Sequence, residues 1–435
     1  MKKTNLFNYI ENKVFRDKLW EKGKTFSLVD ENDKVFEAEE YGSYVDCQPK
    51  TGEEVIKIYD EYDTFLGKDE GGRAKQFFRI ESSCFKELIE EKKNNPNCSY
   101  VTCVDELLEE GYVPEKMSAI LMGHKYRPAR IASNVENFGA RMLNFFEVPT
   151  MFCKKLYYNL SKDKKQVFLA SVDYLKPNEI MMNLNTYMQQ YVYKTDTDTI
   201  VRTRNVNQVI SAYEKVFKAH YKKVEDEGFK LDEGFDIESE LSNMREQVAY
   251  MFLVRQHAFG DSDFMARNLG VIINQKTNKI SVAPAYDFEF FCNYGYNVGW
   301  KFKLRYDDVK NSVLRKKYFF EQYVQNSDDP VGTSLINDVK EIAKTYPNAL
   351  SRFIGKADEL LQSVDGKPCK LDEFLDEIEV ADPKNWINSN KVEIDSDSFK
   401  DSIEVSNKKD VKEFFEIVRD VCEVYSNESQ AEMSE

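Results

Sequence analysis

The reading of this chain turns on one stretch. It runs Gly260-Asp261-Ser262-Asp263-Phe264-Met265-Ala266-Arg267-Asn268-Leu269-Gly270-Val271-Ile272-Ile273 and resumes as Ala283-Pro284-Ala285-Tyr286-Asp287-Phe288-Glu289. It holds an Asp, an Asn five positions on, a short apolar run and a second Asp. Leu269–Ile273 and Ile280–Val282 read as short strands, with Asn274-Gln275-Lys276-Thr277-Asn278 as the turn between them. The periodic segment Ile237–Arg255 before them reads as a long helix. Asp263 and Asn268 therefore fall on a loop held at both ends, which is how rigid scaffolds present chemistry. Asp287 follows the second strand after Pro284, so the chain can fold back toward Asn268.

An Asp–Asn–Asp set of oxygen donors suits Mg²⁺, a cation that keeps several non-protein ligands. Phosphoryl transfer from ATP needs one carboxylate to orient the acceptor hydroxyl, and an amide plus a carboxylate to hold the metal. Asp263 fits the first role; Asn268 and Asp287 fit the second. The Asp-x-x-x-x-Asn spacing alone matches many acidic turns. The strand, the turn and the Ala-Pro-x-Tyr-Asp ending make it specific.

Upstream, Ser118-Ala119-Ile120-Leu121-Met122 reads as a strand, followed by Gly123-His124-Lys125. Val135, Phe138, Met142, Phe145 and Phe146 follow the helical period, with Asn134 as N-cap and Pro149 closing the element. Val167–Val172 reads as a buried strand leading into Asp173-Tyr174-Leu175. Nearer the start, Thr25–Val29 and Glu54–Tyr59 read as strands and Phe85–Lys92 as a short helix. Pro347–Leu361 and Lys409–Tyr425 read as later helices, and residues 426–435 as a disordered polar tail. Strands first, then helices with one small hairpin, is an α+β layout.

With 435 residues the chain has room for two to three domains at roughly 100–200 residues each. The expected divisions are a mixed α/β region at 1–112, either an extra domain or an elaboration of the next; a strand-and-helix core at 113–178; and a helical part at 179–425. A formal charge of −15 argues against a duplex nucleic-acid binder, which needs a basic face. Eight cysteines without a CxxC pair, and only three histidines, argue against a structural zinc site. No signal peptide and no apolar run of membrane-spanning length is visible, so a cytoplasmic protein with reduced thiols and no membrane partner is expected. Gly67-Lys68-Asp69-Glu70-Gly71-Gly72-Arg73 has the spacing of no phosphate loop and reads as a solvated turn. Arg255 and Arg267 flank the central loop and have two readings, phosphate contacts or partners of local acids; His257 reads as a packing residue.

The quoted motifs resemble the catalytic core of HipA-like serine/threonine kinases. That family carries a Gly-x-x-Asp-x-His-x-x-Asn-x-Gly segment and then Pro-x-Tyr/Phe-Asp. Here Met265 stands where the family has His. Glu136-Asn137-Phe138-Gly139-Ala140-Arg141 through Val148-Pro149 is similar to the family helix that begins with Glu. The resemblance implies a protein-kinase-like bilobal fold, with a strand-rich N-lobe and a helical C-lobe. It implies Asp263 as the catalytic Asp, and Asn268 and Asp287 as Mg²⁺ ligands. Lys125 and Glu136 become the ion pair that anchors ATP, and backbone groups around Asp173 and Tyr174 the adenine contact. The implied activity is ATP- and Mg²⁺-dependent transfer to a Ser or Thr hydroxyl on a protein, the chain itself included, with a cognate antitoxin or regulator protein as partner. Two alternatives stand beside it: a pseudokinase that acts as a nucleotide-binding or protein-interaction module, and a phosphoinositide-type lipid kinase.

Overall fold

The computed structural model describes residues 25–43, 75–102, 104–122, 129–161, 164–176, 178–193, 203, 205–229, 231, 234–261, 264–288, 291, 335–364, 366–381 and 408–434. These fall into two compact units. The first is drawn from Met1–Met182, Gly270–Glu289 and Ile394–Phe399, and the second from Asn183–Leu269, Phe290–Glu393 and Lys400–Glu435. The expected strand at Glu54–Tyr59, the Gly67–Arg73 turn and His124 lie outside the described residues.

The first unit is strand-rich. β1 (Thr25–Val29), β2 (Val35–Ser43), β3 (Lys75–Glu81), β4 (Lys116–Met122), β5 (Cys153–Ser161) and β6 (Lys164–Val172) close into a barrel in the order β1-β2-β3-β4-β6-β5. Antiparallel registers place Leu28 opposite Phe36, Phe78 opposite Ala119, Leu121 opposite Ala170 and Leu156 opposite Phe168, all buried. Phe26 and Phe78 meet across the strands at 6.0 Å between ring centroids. Closure comes from Val29 against Tyr157, a pairing distant in sequence. The β1–β2 turn is built by Asp30, whose Oδ1 accepts from Asn32 N (2.9 Å) and Lys34 N (3.0 Å). β1–β3 precede residue 112 in sequence and β4–β6 follow it, within one barrel.

Two helices, α1 (Lys86–Asn94) and α2 (Val104–Glu109), precede β4. The helix that carries Glu136, α3, spans Ala129–Phe145 and packs on β5 and β6. It begins five residues before Asn134, which sits inside the helix and is not its N-cap. Ala129, Ile131 and Ala132 continue the helical pattern upstream. Its other end closes by backbone: Val148 N donates to Leu143 O and Glu147 N to Asn144 O, both at 2.9 Å, with Glu147 at φ 55°. A second, three-stranded sheet orders β7 (Glu179–Asn183), β8 (Gly270–Asn274) and β9 (Lys279–Val282). Gly270 fits between its neighbours because a Cβ there would lie 2.8 Å from Met181 Cε and 3.2 Å from Ala283 Cβ.

The second unit is helical: α4 (Leu184–Tyr187), α5 (Val206–Asp226), α6 (Ile237–Phe252), α7 (Leu335–Thr345), α8 (Pro347–Leu361), α9 (Lys370–Ala381) and α10 (Lys408–Ser434). Asn205 caps α5, accepting from Gln208 N at 2.9 Å, and Pro347 opens α8. The polar stretch after Tyr425, expected as a disordered tail, continues α10 to Ser434. Ser429 Oγ donates to Ala343 O at 3.2 Å, and α10 packs along α7 and α8. Among the described residues no helix is long and apolar enough to cross a membrane.

Burial at the edge of the barrel pushes the Cys84 thiol from 9.0 up to about 12. The unfolded chain ionises this thiol near pH 9, while the fold keeps it protonated. The stabilisation is therefore complete below pH ~9 and is lost as pH rises toward 12. Guanidinium denaturation midpoints should fall across that window, and less steeply in Cys84→Val. Equal slopes for the two proteins would contradict this.

Candidate functional site

In the second unit, α6 runs without a break into a π-helical turn, Leu253–Ala258, which leads into the Gly260–Asn268 segment. The turn projects two polar side chains inward. Arg255 is fully buried, and its Nε and terminal nitrogen reach Asp261 Oδ2 at 2.8 and 2.6 Å; Asp261 is fully buried too. Asp261 N also donates to Arg255 O at 2.9 Å. Of the two readings for Arg255, the local acid is the one observed. The guanidinium lies 5.1 Å from the Phe264 ring centroid. His257 is buried, with Nε2 3.0 Å from Asp338 Oδ2, so it packs and bonds inside the unit. Arg267 is exposed.

Phe264, next in sequence to Asp263, is held from several sides. Its N–H donates to Asp261 O at 3.3 Å, its carbonyl accepts from Thr203 Oγ1 at 3.3 Å, and its ring meets Phe252 edge-on at 5.4 Å. Ala266–Asn268 then form a 3₁₀ turn closed by Asn268 N donating to Met265 O at 2.7 Å. Asn268 is buried, and Leu269 O accepts from Leu184 N at 2.7 Å. Met265 is extended (φ −135°, ψ 162°) and contributes its backbone oxygen to the turn. The turn that presents Asn268 therefore uses the main chain at 265 and does not depend on an imidazole there.

In the first unit the Asp287 segment is anchored by backbone pairing. Ala285 N donates to Pro149 O at 2.7 Å, and Ala285 O accepts from Met151 N and Thr150 Oγ1, each at 3.2 Å. Thr150 in turn pairs with Tyr100. Asp287 is half-buried at φ 63°, a left-handed conformation that Asp tolerates better than most residues. Phe288 is buried against α3 at Gly139, where an added Cβ would lie 2.7 Å from Phe288 Cβ. Glu136, one turn earlier on α3, is fully buried. The helix with the expected ATP-anchoring acid and the segment with the expected metal-binding acid are thus packed together.

Asp173 and Tyr174 follow β6 and are both buried. Asp173 N donates to Ser118 O at 3.0 Å, and Asp173 Oδ1 accepts from Leu175 N at 3.1 Å. Tyr174 OH donates to Met181 Sδ at 2.9 Å. These contacts fix the shape of the connection between β6 and β7. Asp263 and Lys125 lie outside the described residues. Asn268 belongs to the second unit and Asp287 to the first.

The sequence reading did not single out Asp338 or Thr203, which brace the loop from far along the chain. It also passed over Lys155, a buried lysine on β5, the strand that α3 covers. Among the described residues no group of three or more His, Cys, Asp or Glu side chains is gathered as a metal site.

No family model matches the sequence, and a search of curated proteins finds no match. Among solved structures the chain is similar to a proinflammatory kinase from Helicobacter pylori, CtkA. The identity is 9%, over 73% of this chain and 90% of that one, with a TM-score of 0.35.

Arg255→Leu should leave the Asp261 carboxylate buried without its partner and cost about 3–5 kcal/mol of stability in urea titrations. A loss below ~1 kcal/mol, the range of solvated surface pairs, would contradict the buried setting.

Proposed function

We propose that this protein is a kinase of the HipA-like type, which transfers the γ-phosphoryl group of ATP, with Mg²⁺, to a Ser or Thr hydroxyl on a protein. The observation that carries the reading is the Asp263-x-x-x-x-Asn268 loop, followed by two strands and Asp287. The geometry supports it in two ways. A buried ion pair and an aromatic edge hold the loop beside Asp263. In the first unit a fully buried Glu136 lies one helical turn from the contact that seats Phe288, beside Asp287.

In this proposal the Asp263 carboxylate accepts a hydrogen bond from the acceptor hydroxyl, orients it toward the γ-phosphorus and takes its proton as the new O–P bond forms, while the bond from the γ-phosphorus to the β–γ bridging oxygen breaks and ADP leaves. The Asn268 amide oxygen and an Asp287 carboxylate oxygen would hold Mg²⁺. Both are hard oxygen donors, and two protein ligands leave positions for phosphate oxygens and water, so the residues present fit the ion. When bound, the metal neutralises charge on the β- and γ-phosphates. Lys125, on the connection between β4 and α3, would hold the α- and β-phosphates with Glu136 as its ion-pair partner. The connection Asp173–Leu175 would meet the adenine edge through main-chain groups.

The main-chain role of Met265 favours an active loop over a pseudokinase, because the turn that presents Asn268 closes without the family's histidine. Purified full-length protein, labelled ATP and Mg²⁺ test the reading. Label transfer to protein should fall by at least ~10²-fold in Asp263→Ala and in Asp287→Ala, and vanish in chelator. Labelling that persists unchanged in both variants would sink it.

A further inference from the structure

We propose that Asp338, on α7, is a positioning residue for the Gly260–Asn268 loop, acting through His257 and through the start of α5; its catalytic meaning rests on the phosphoryl-transfer reading above. Asp338 is only 3% exposed, so its charge must be met inside the protein. Both of its oxygens are engaged. Oδ2 lies 3.0 Å from His257 Nε2, and Oδ1 accepts from Val206 N, the first residue of α5, at 3.0 Å.

Each bond leads to the same residue of the loop. His257 shares its π-helical turn with Arg255 and meets Phe252 edge-on at 5.2 Å; Phe252 in turn meets Phe264 at 5.4 Å. On the other side, fixing Val206 fixes the residues just ahead of α5, where Thr203 Oγ1 donates to Phe264 O. Phe264 adjoins Asp263 in sequence, so both routes hold the chain next to the proposed catalytic residue. One carboxylate on a distant helix thus ties together the turn that enters the loop and the segment that braces it.

The chemistry gives a discriminating substitution. In Asp338→Asn the amide oxygen can still accept from Val206 N, and the amide N–H₂ can donate to His257 Nε2 if the imidazole carries its proton on Nδ1. Both bonds survive and only the charge is lost. Asp338→Ala loses both bonds.

Hydrogen exchange on the full chain reads the loop directly, and ATP turnover reads the consequence. Peptides across 259–269 should exchange at least ~10-fold faster in Asp338→Ala, while peptides of α8 and α9 keep wild-type protection. Turnover should show kcat down ~10-fold or more with KM for ATP within about twofold, and Asp338→Asn should restore both readouts. Wild-type loop exchange in Asp338→Ala, or Asn behaving like Ala, would overturn the proposal. If Asp338→Ala fails to fold, exchange rises everywhere, and His257→Phe then decides, since it keeps the ring contact with Phe252 and removes the bond. Faster loop exchange in His257→Phe supports the role, and unchanged exchange overturns it. A failure of the kinase reading would appear separately, as wild-type protein without ATP turnover, and would leave the exchange result standing.

Discussion

The buried pairing of Arg255 with Asp261 is the constraint from which the second unit's candidate chemistry follows. Two opposite charges with no solvent exposure are expensive to place, and they are tolerated because the guanidinium meets the carboxylate through two nitrogens and the backbone closes the same ring. The π-helical turn makes this possible. By widening the end of α6 it turns Arg255 and His257 inward together, so that one turn of chain carries both anchors. Once Asp261 is fixed, Phe264 follows, and the 3₁₀ turn to Asn268 closes on the main chain. The order of the described part of the loop is therefore built by what precedes it and by two distant segments.

The first unit solves a different problem, which is to pack a helix closely against a strand exit. Gly139 and Gly270 do this by absence. At each, a single methyl group would collide, with Phe288 in one case and with Met181 and Ala283 in the other. The barrel supplies the rigid side of the arrangement, with α3 laid on β5 and β6 and the Ala285 segment pinned to the chain that leaves α3. Asp287 pays with a left-handed backbone, a conformation that the surrounding pairing over-determines.

How much of this was legible in the sequence depended on range. Elements set by local pattern were readable: the β8–β9 hairpin, the Pro-initiated α8, and the strand before Asp173. The start of α3 was misread because Asn134 looks like a cap, although the upstream residues are equally helical. The end of α10 was misread because polarity was taken for disorder, while Ser429 is held by a carbonyl of α7. Barrel closure could not be read, since it rests on Val29 meeting Tyr157 across the whole set of strands. The same holds at the site. Asp261 and Arg255, six residues apart, could be suspected as partners, whereas His257 and Asp338 are separated by 81 residues and no local signal joins them. The expectation for Asn268 and Asp287 came from their spacing to strand and turn.

The proposed function has Asn268 and Asp287 each serve the metal–nucleotide complex. Calorimetric titration of the full-length protein with a non-hydrolysable ATP analogue, in Mg²⁺ and in chelator, tests it most directly. That role requires binding that is tighter in Mg²⁺ than in chelator, and a metal dependence that disappears in the Asn268→Ala, Asp287→Ala double variant. Absence of binding, or a metal dependence that survives in that variant, would contradict it.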